Sequence, residues 1–167
     1  MKGIYTLIIL VNTKSQLKVR KLGYFNFKTG YYAYTGSALG NGAASLKRRV
    51  ARHLKKGKPK HWHIDFLLAN KNVKVTAVIA AESSVNRECQ INNLIKNIQG
   101  ATVPIVGFGA TDCKQNGKSH LIYLGEKNKK EKIIEAYTHL FRHSEPILET
   151  KQTNLDNPQP ISTSLNF

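Results

Sequence analysis

The hydrophobic pattern divides the chain into an early region of strands and a later region with most of the helices. Residues 3–11 form an apolar run without helical periodicity, which predicts a buried strand with Tyr5 on one face. Two short runs of alternating polarity, residues 17–20 and 24–27, and an aromatic run at residues 31–35 predict three further strands joined by turns. Together these segments predict an antiparallel meander.

A basic amphipathic helix is predicted over residues 43–56. Its buried stripe consists of apolar residues spaced four apart, Leu46, Val50 and Leu54. Arg49 and His53 lie along one edge of this stripe, and Arg49 is therefore the arginine nearest to the sheet.

The rest of the chain alternates between helices and strands. The predicted elements are a short helix at 61–68, a strand at 73–81, a helix from a serine cap at 83–84 to Ile98, a strand at 119–124 and a helix at 129–143. In the third helix Glu88 shares the apolar stripe, which extends the packed face into the first turn. The pattern indicates an α/β fold of the α+β type, with a mainly antiparallel central sheet flanked by helices.

The length of 167 residues favours one domain with a substantial core. We assign this domain to residues 1–143. From residue 144 the chain is polar, contains three prolines and shows no periodicity, so residues 144–167 are predicted to form a disordered tail.

The charge distribution suggests a polyanionic partner. The net charge is +16, and the first 64 residues contain 14 Lys and Arg but no Asp or Glu. One side of the protein is therefore expected to face a polyanion, although a generally lysine-rich proteome would give the same excess. The expected contact residues are basic and histidine side chains on and after the first long helix: Lys47, Arg48, Arg52, Lys55, Lys56, Lys58, Lys60, His61 and His63.

Two features predict a cytoplasmic location. The apolar run at residues 4–11 is too short to span a bilayer and lacks a cleavage site behind it, which indicates a strand rather than a signal peptide. Cys89 and Cys113 lie far apart in sequence, which argues against a disulfide framework and fits a reducing compartment. Their spacing relative to His120 fits no standard zinc site.

Several short motifs resemble the GIY-YIG nuclease superfamily. They are Gly3-Ile4-Tyr5 on the first strand, Tyr34-Thr35-Gly36 on the last strand of the meander, and Arg49 with His53 on the next helix. More specifically, residues 32–38, 61–65, 107–113 and 119–121 resemble a compact prokaryotic GIY-YIG-like family of largely unknown function. The domain of that family is sometimes fused to a base-excision glycosylase of the endonuclease III type. The resemblance covers residues 1–125.

This resemblance implies a GIY-YIG endonuclease-like fold and metal-dependent phosphodiester hydrolysis. Tyr5 matches the first motif tyrosine, which binds or activates the attacking water, and Tyr34 matches the second. Arg49 matches the arginine that holds the scissile phosphate, and His53 a position often filled by histidine or tyrosine. Glu88 matches the glutamate that holds a single divalent cation, usually Mg²⁺, with Mn²⁺ as a substitute.

The residue types suit this chemistry, but each also has a simpler structural interpretation. An arginine matches two phosphate oxygens with its planar fork and stays charged, yet Arg49 could also only pack its stem beside the sheet. A tyrosine can act as a base only if neighbouring cations lower its pKa, and Tyr5 could be an ordinary packed strand residue. Glu88 could equally serve the dipole of its helix.

The sequence therefore predicts a metal-dependent endonuclease that hydrolyses DNA phosphodiester bonds, in repair or at particular DNA structures. The alternative is a non-catalytic or RNA-directed nucleic-acid-binding module on the same fold, because a positive face contacts phosphate and not sugar. DNA is favoured over RNA, no membrane partner is expected, and a nucleoid-associated position in the cytoplasm follows. A repair protein is a candidate partner, and the oligomeric state is left open.

Overall fold

The computed structural model describes residues 1–110, 119–142 and 147–151 of the chain. Within these ranges the chain forms seven strands and four α-helices. The strands are β1 (Gly3–Val11), β2 (Ser15–Val19), β3 (Gly23–Phe27), β4 (Gly30–Ala38), β5 (Val73–Glu82), β6 (Leu121–Gly125) and β7 (Ile147–Lys151). The helices are α1 (Leu46–Leu54), α2 (His63–Leu68), α3 (Glu88–Lys96) and α4 (Lys130–Phe141).

Five of the strands form one antiparallel sheet in the order β6, β4, β1, β5, β7. Helices flank this sheet, which confirms the predicted fold class. The predicted meander is wrong in one respect. Strand β1 pairs directly with β4, from Gly3 opposite Ala38 to Val11 opposite Gly30, whereas β2 and β3 form a separate two-stranded hairpin.

A hydrophobic core lies on each face of the sheet, and β1 contributes to both. Tyr5, Leu7 and Ile9 belong to the core that also contains residues of α1 and α2. Ile4 and Ile8 belong to the second core, which contains residues of α3 and α4. Because both faces of β1 are covered, its sequence is a continuous apolar run rather than an alternating one.

Helix α3 begins later than predicted. Ser83 does not cap it, since its hydroxyl donates to the Val85 carbonyl at 2.7 Å. Instead, the Asn86 side-chain oxygen accepts a hydrogen bond from the Glu88 backbone N–H at 2.9 Å. Short polar side chains commonly satisfy the free N–H groups of a first turn in this way. Helix α1 is also shorter than the predicted span of residues 43–56.

Strand β7 corrects the prediction of a disordered segment throughout residues 144–167. It pairs antiparallel with β5, from Ala77 opposite Lys151 to Ala81 opposite Ile147. The rest of the predicted tail lies outside the described residues.

Two further observations concern the helices and the cysteines. None of the described helices is long and apolar enough to cross a membrane. Cys89 is disulfide-bonded, contrary to the expectation drawn from the cysteine spacing, and Cys113 lies outside the described residues.

Candidate functional site

A buried tyrosine–histidine pair connects the central strand to helix α1. The Tyr5 hydroxyl lies 2.8 Å from Nε2 of His53, and the two residues are only 2% and 3% exposed. Tyr5 reaches this position because alternate β1 side chains face α1. His53 reaches it because it lies three residues after Val50 and shares the buried side of the helix. The sequence predicts His53 only at the edge of that side.

Gly36 provides the space that the Tyr5 side chain needs. It lies directly opposite Tyr5 in the β1–β4 ladder. A Cβ at this position would collide with the Tyr5 hydroxyl and ring, so the site requires a residue without a side chain. The long separation of the two motifs in sequence does not disturb this register, because the β2–β3 hairpin accounts for the intervening residues.

Tyr34 lies on the same face of the sheet and beneath a glycine-bearing loop. Its ring centroid is 6.1 Å from that of His53 and 6.2 Å from that of Phe108. In the loop, Gly109 has φ +73°, and a Cβ there would lie 3.1 Å from the Tyr34 ring. The loop therefore packs closely over Tyr34, which keeps 8% of its surface exposed.

Burial dominates the acidity of both phenols. It raises the pKa of Tyr5 and of Tyr34 well above the ordinary value of 10.0, and the nearby Glu88 carboxylate raises both further. Arg49 lowers both pKa values, but by less. In the protein alone, desolvation outweighs the positive charge, so the neighbouring cations do not lower the pKa of either phenol below its ordinary value.

Arg49 lies between helix α1 and strand β4. Its Nη1 donates to the Ser37 carbonyl at 2.9 Å, and its guanidinium is 5.1 Å from the centroid of the Trp62 ring. The side chain is partly exposed, so it does more than pack its stem. The helix periodicity correctly predicts that Arg49 points toward the sheet.

Glu88 meets Arg49 at the same residue of β4. One Glu88 oxygen accepts a hydrogen bond from the Ser37 hydroxyl at 2.8 Å, and the other lies 2.7 Å from Nδ1 of His120. The Glu88 side chain is 15% exposed. The five residues named by the resemblance thus form one cluster, with Ser37 joining the arginine and the glutamate: Tyr5, Tyr34, Arg49, His53 and Glu88.

Sequence reasoning missed two members of this cluster, Ser37 and His120. Ser37 directly follows a recognised motif, yet its role depends on two side chains that lie 12 and 51 positions away. His120 is buried just before β6, and its backbone N–H donates to the Phe108 carbonyl at 2.8 Å. Its neighbour Asn92 donates to the Ser119 carbonyl at 2.6 Å, which fixes the same turn. No local sequence signal reveals these pairings.

A second polar cluster forms around Asp65 and has a structural role. Its carboxylate accepts two hydrogen bonds from Arg52, at 3.1 and 2.9 Å, and lies 3.8 Å from the ammonium of Lys58. It also accepts the backbone N–H groups of His61 and Trp62, both at 2.9 Å, which caps α2. Burial would raise the pKa of Asp65, but the hydrogen bonds from Arg52, Trp62 and His61 outweigh it and lower that pKa.

The predicted polyanion-contact residues therefore divide into two groups. Arg52 and Lys58 are engaged by Asp65, and Nδ1 of His63 accepts the Gly109 N–H at 3.0 Å. Helical periodicity predicts Arg52 on the solvated face of α1, opposite the buried stripe, and this prediction is wrong because Arg52 is partly buried against Asp65. The other predicted contact residues remain exposed: Lys47, Arg48, Lys55, Lys56, Lys60 and His61.

Replacing Asp65 with alanine is expected to lower the free energy of unfolding by about 3 kcal/mol. The substitution leaves the Arg52 and Lys58 cations without their partner and two backbone N–H groups of the α2 cap without an acceptor. Urea denaturation monitored by circular dichroism measures the change.

A matched control is available in the exposed Lys132–Glu135 pair on α4. Its atoms lie 2.9 Å apart, but the two side chains are 60% and 63% exposed. Glu135→Ala should therefore change stability by no more than about 0.5 kcal/mol. Equal effects of the two substitutions would show that the buried Asp65 network does not stabilise the fold.

Glu88 is the residue of the cluster that suits a divalent cation. Each of its oxygens makes one contact and retains a further lone pair. Asp65, by contrast, is fully buried and saturated. Among the described residues, no group of three or more His, Cys, Asp or Glu side chains is placed to hold a metal. A single carboxylate with free lone pairs is a ligand that Mg²⁺ commonly uses together with water molecules, so Glu88 would be the residue to hold such a cation.

Comparison with known proteins identifies a family. The family model described as "Domain of unknown function DUF123" matches residues 4–143, which include every residue of the cluster. No curated protein and no solved structure matched the chain. Because the family model covers most of the sequence, the chain belongs to the DUF123 family, a family whose function is unknown.

Proposed function

We propose that this protein is a metal-dependent endonuclease that hydrolyses phosphodiester bonds in DNA. The observation that carries the proposal is the meeting of Arg49 and Glu88 at Ser37, beside the buried Tyr5–His53 pair. A guanidinium and a carboxylate that contact the same residue, one at its carbonyl and the other at its hydroxyl, could bind a phosphate and its counter-cation respectively. The exposed basic residues on and after α1 supply further phosphate contacts.

Phosphodiester hydrolysis requires that the charge developing on the phosphoryl oxygens be neutralised. Arg49 is partly exposed and uses Nη1 on Ser37, so the other N–H groups of its fork can donate to phosphate oxygens. Glu88 would hold the divalent cation, which when bound supplies Lewis-acid stabilisation of the phosphate and the leaving oxygen. Ser37 fixes both side chains relative to the sheet.

The Tyr5–His53 pair is buried and supports the groups that would contact the phosphate. Burial lowers the pKa of His53 to about 3, so its imidazole is neutral at physiological pH and can accept the Tyr5 proton in a hydrogen bond. The lone pairs of the phenol oxygen then remain available to orient a water molecule near the phosphate. We therefore assign Tyr5 and His53 as positioning residues. Tyr34, which is slightly more exposed, is the aromatic side chain that borders the site.

A specific observation favours a second candidate, a nucleic-acid-binding module without turnover. Both Glu88 oxygens already have protein contacts, so a cation must compete with or add to Ser37 and His120. A binding module on this fold would be indifferent to metal, and its affinity would fall with salt as phosphate contacts are lost. An RNA-directed form would use the same residues. For each candidate we propose a cytoplasmic, nucleoid-associated location, which rests on the proposed nucleic-acid partner alone, since the disulfide at Cys89 removes the argument from the cysteines.

Incubation of the full chain with labelled branched, nicked and abasic DNA duplexes, with and without Mg²⁺, tests the proposal. We expect Mg²⁺-dependent strand cleavage that falls by at least about a hundredfold in Glu88→Ala, while duplex affinity stays within about threefold. The matched control is Glu131→Ala, which removes an exposed carboxylate at the start of α4.

Two outcomes would reject the endonuclease. One is tight, salt-dependent binding without cleavage of any duplex, which would favour the binding module. The other is cleavage that Glu88→Ala and Glu131→Ala reduce equally, which would place the chemistry elsewhere. Structured RNA substrates tested beside the duplexes distinguish the DNA-directed from the RNA-directed enzyme.

A further inference from the structure

The β2–β3 hairpin has an outer face that the site described above does not use. Its inner side chains pack into the core shared with α1 and α2, and they are Leu17, Val19, Phe25 and Phe27. The outer side chains alternate with these and are exposed: Gln16, Lys18, Tyr24 and Asn26. Two cross-strand pairs organise this face, Gln16 opposite Asn26 and Lys18 opposite Tyr24.

Tyr24 is the unusual member of this face. It is a large aromatic side chain that is 66% exposed, because the alternation of β3 directs it away from the core that its neighbour Phe25 faces. The ammonium of Lys18 lies 5.6 Å from the centroid of its ring. An aromatic ring is thus presented to solvent beside a cation and a pair of side-chain amides.

Exposed lysines lie near the ends of the hairpin strands in sequence. Lys14, Lys21 and Lys28 are exposed close to the strand ends, and no Asp or Glu occurs in the first 64 residues. Positive charge alone would suit any polyanion, including a duplex. The exposed ring adds a selective element, because base–aromatic stacking requires bases whose faces are free.

The hairpin also lies beside the candidate site. Strand β2 packs against α2, and Nη1 of Arg20, which follows β2, donates to the His61 carbonyl at 2.7 Å. Leu22 borders Gly107 in the loop that covers Tyr34. A nucleic-acid strand bound at Arg49 could therefore continue onto the hairpin on the same side of the sheet.

We propose that the outer face of the β2–β3 hairpin binds a single-stranded segment of nucleic acid. Tyr24 stacks on an unpaired base, Lys18 and Lys28 contact phosphates, and the amides of Gln16 and Asn26 contact base edges or sugars. This inference deepens the proposed function, on which it rests for its biological meaning, since it names unpaired bases as part of the substrate.

Fluorescence anisotropy in EDTA, which prevents metal-dependent cleavage, tests the hairpin directly. The probes are a labelled oligothymidylate of 12 nucleotides and an abasic oligomer of the same length. The wild-type protein should bind the oligothymidylate about tenfold more tightly than the abasic oligomer. Tyr24→Ala should abolish that preference, whereas Tyr24→Phe should keep it because the ring still stacks.

Variants that remove a lysine distinguish base stacking on Tyr24 from general electrostatic attraction to phosphate. Lys18→Ala should weaken binding of both probes about threefold and reduce the salt slope by about one phosphate contact. The matched control Lys132→Ala removes an exposed lysine from α4 and should change neither probe by more than about 1.5-fold.

The proposal is overturned if the wild-type protein binds the two probes equally, or if Tyr24→Ala weakens both by the same factor. It is also overturned if Lys132→Ala matches Lys18→Ala, since the attraction would then come from net charge alone. A base preference that persists in a protein without cleavage activity would reject the endonuclease and keep the hairpin as a binding surface.

Discussion

Replacing Arg49 with alanine is expected to lower the rate of Mg²⁺-dependent cleavage by about a thousandfold. The Arg49 guanidinium donates to the carbonyl of Ser37, the residue whose hydroxyl binds Glu88, and the Arg49 side chain is partly exposed. Its contribution should be greatest in the transition state, where negative charge accumulates on the phosphoryl oxygens, so the loss should appear in kcat more than in KM. Single-turnover cleavage of the preferred duplex measures it.

The neighbouring residue supplies a matched control. Arg48 is exposed on the solvated side of the same helix, so Arg48→Ala removes the same charge without touching Ser37 or Glu88. We expect it to weaken binding modestly and to change kcat by less than about threefold. Arg49→Lys should recover part of the lost rate, since it restores the charge without the planar fork. Equal losses in Arg48→Ala and Arg49→Ala would remove Arg49 from the reaction.

The protein is expected to lose stability steeply as the pH falls below 6.5, and His53 is the reason. The pKa of folded His53 is lowered from 6.5 to about 3, chiefly by burial; the Asp65 carboxylate opposes this shift, and the Lys58, Arg52 and Arg49 cations contribute to it. The unfolded chain therefore binds one more proton than the folded protein between these pH values. Each pH unit in that window should remove about 1.4 kcal/mol from the free energy of unfolding.

Urea denaturation at pH 6.5, 5.5 and 4.5 measures this slope. His53→Gln cannot titrate and should lose about 1.4 kcal/mol less per pH unit than the wild-type protein. His61→Gln is the matched control, because His61 is exposed and its replacement should leave the slope unchanged. Identical slopes in all three proteins would mean that His53 is not held neutral by burial.

The sequence predicts those parts of the site that depend on local periodicity. Alternation along residues 3–11 puts Tyr5 on one face of a buried strand, and a period of 3.6 residues puts Arg49 toward the sheet. Both predictions need only the regular spacing of side chains within one strand or one helix, and the sequence displays that spacing directly. Glu88 was placed on the packed side of its helix by the same means, although the first residue of that helix was predicted too early.

The contacts between elements could not be predicted in this way. The meeting of Arg49, Ser37, Glu88 and His120 depends on how α1, β4, α3 and the turn before β6 are arranged around the sheet. The acidity of the phenols was misjudged for the same reason, because a charge count along the sequence contains no information about desolvation. The pairing of β1 with β4 is also absent from the prediction, since an alternating pattern does not show which strands pair with each other.

The hairpin between β1 and β4 separates the proposed recognition of a ligand from the geometry of the cluster. Because β1 and β4 pair with each other along their full lengths, exposed side chains of the hairpin such as Lys18 and Tyr24 can change without altering the position of Tyr5 opposite Gly36. Val19 and Phe27, by contrast, pack into the same core as Tyr5. Substitutions at exposed positions usually change stability little. Under the roles proposed above, substitutions on the outer face of the hairpin would alter ligand preference while leaving the geometry of the cluster unchanged.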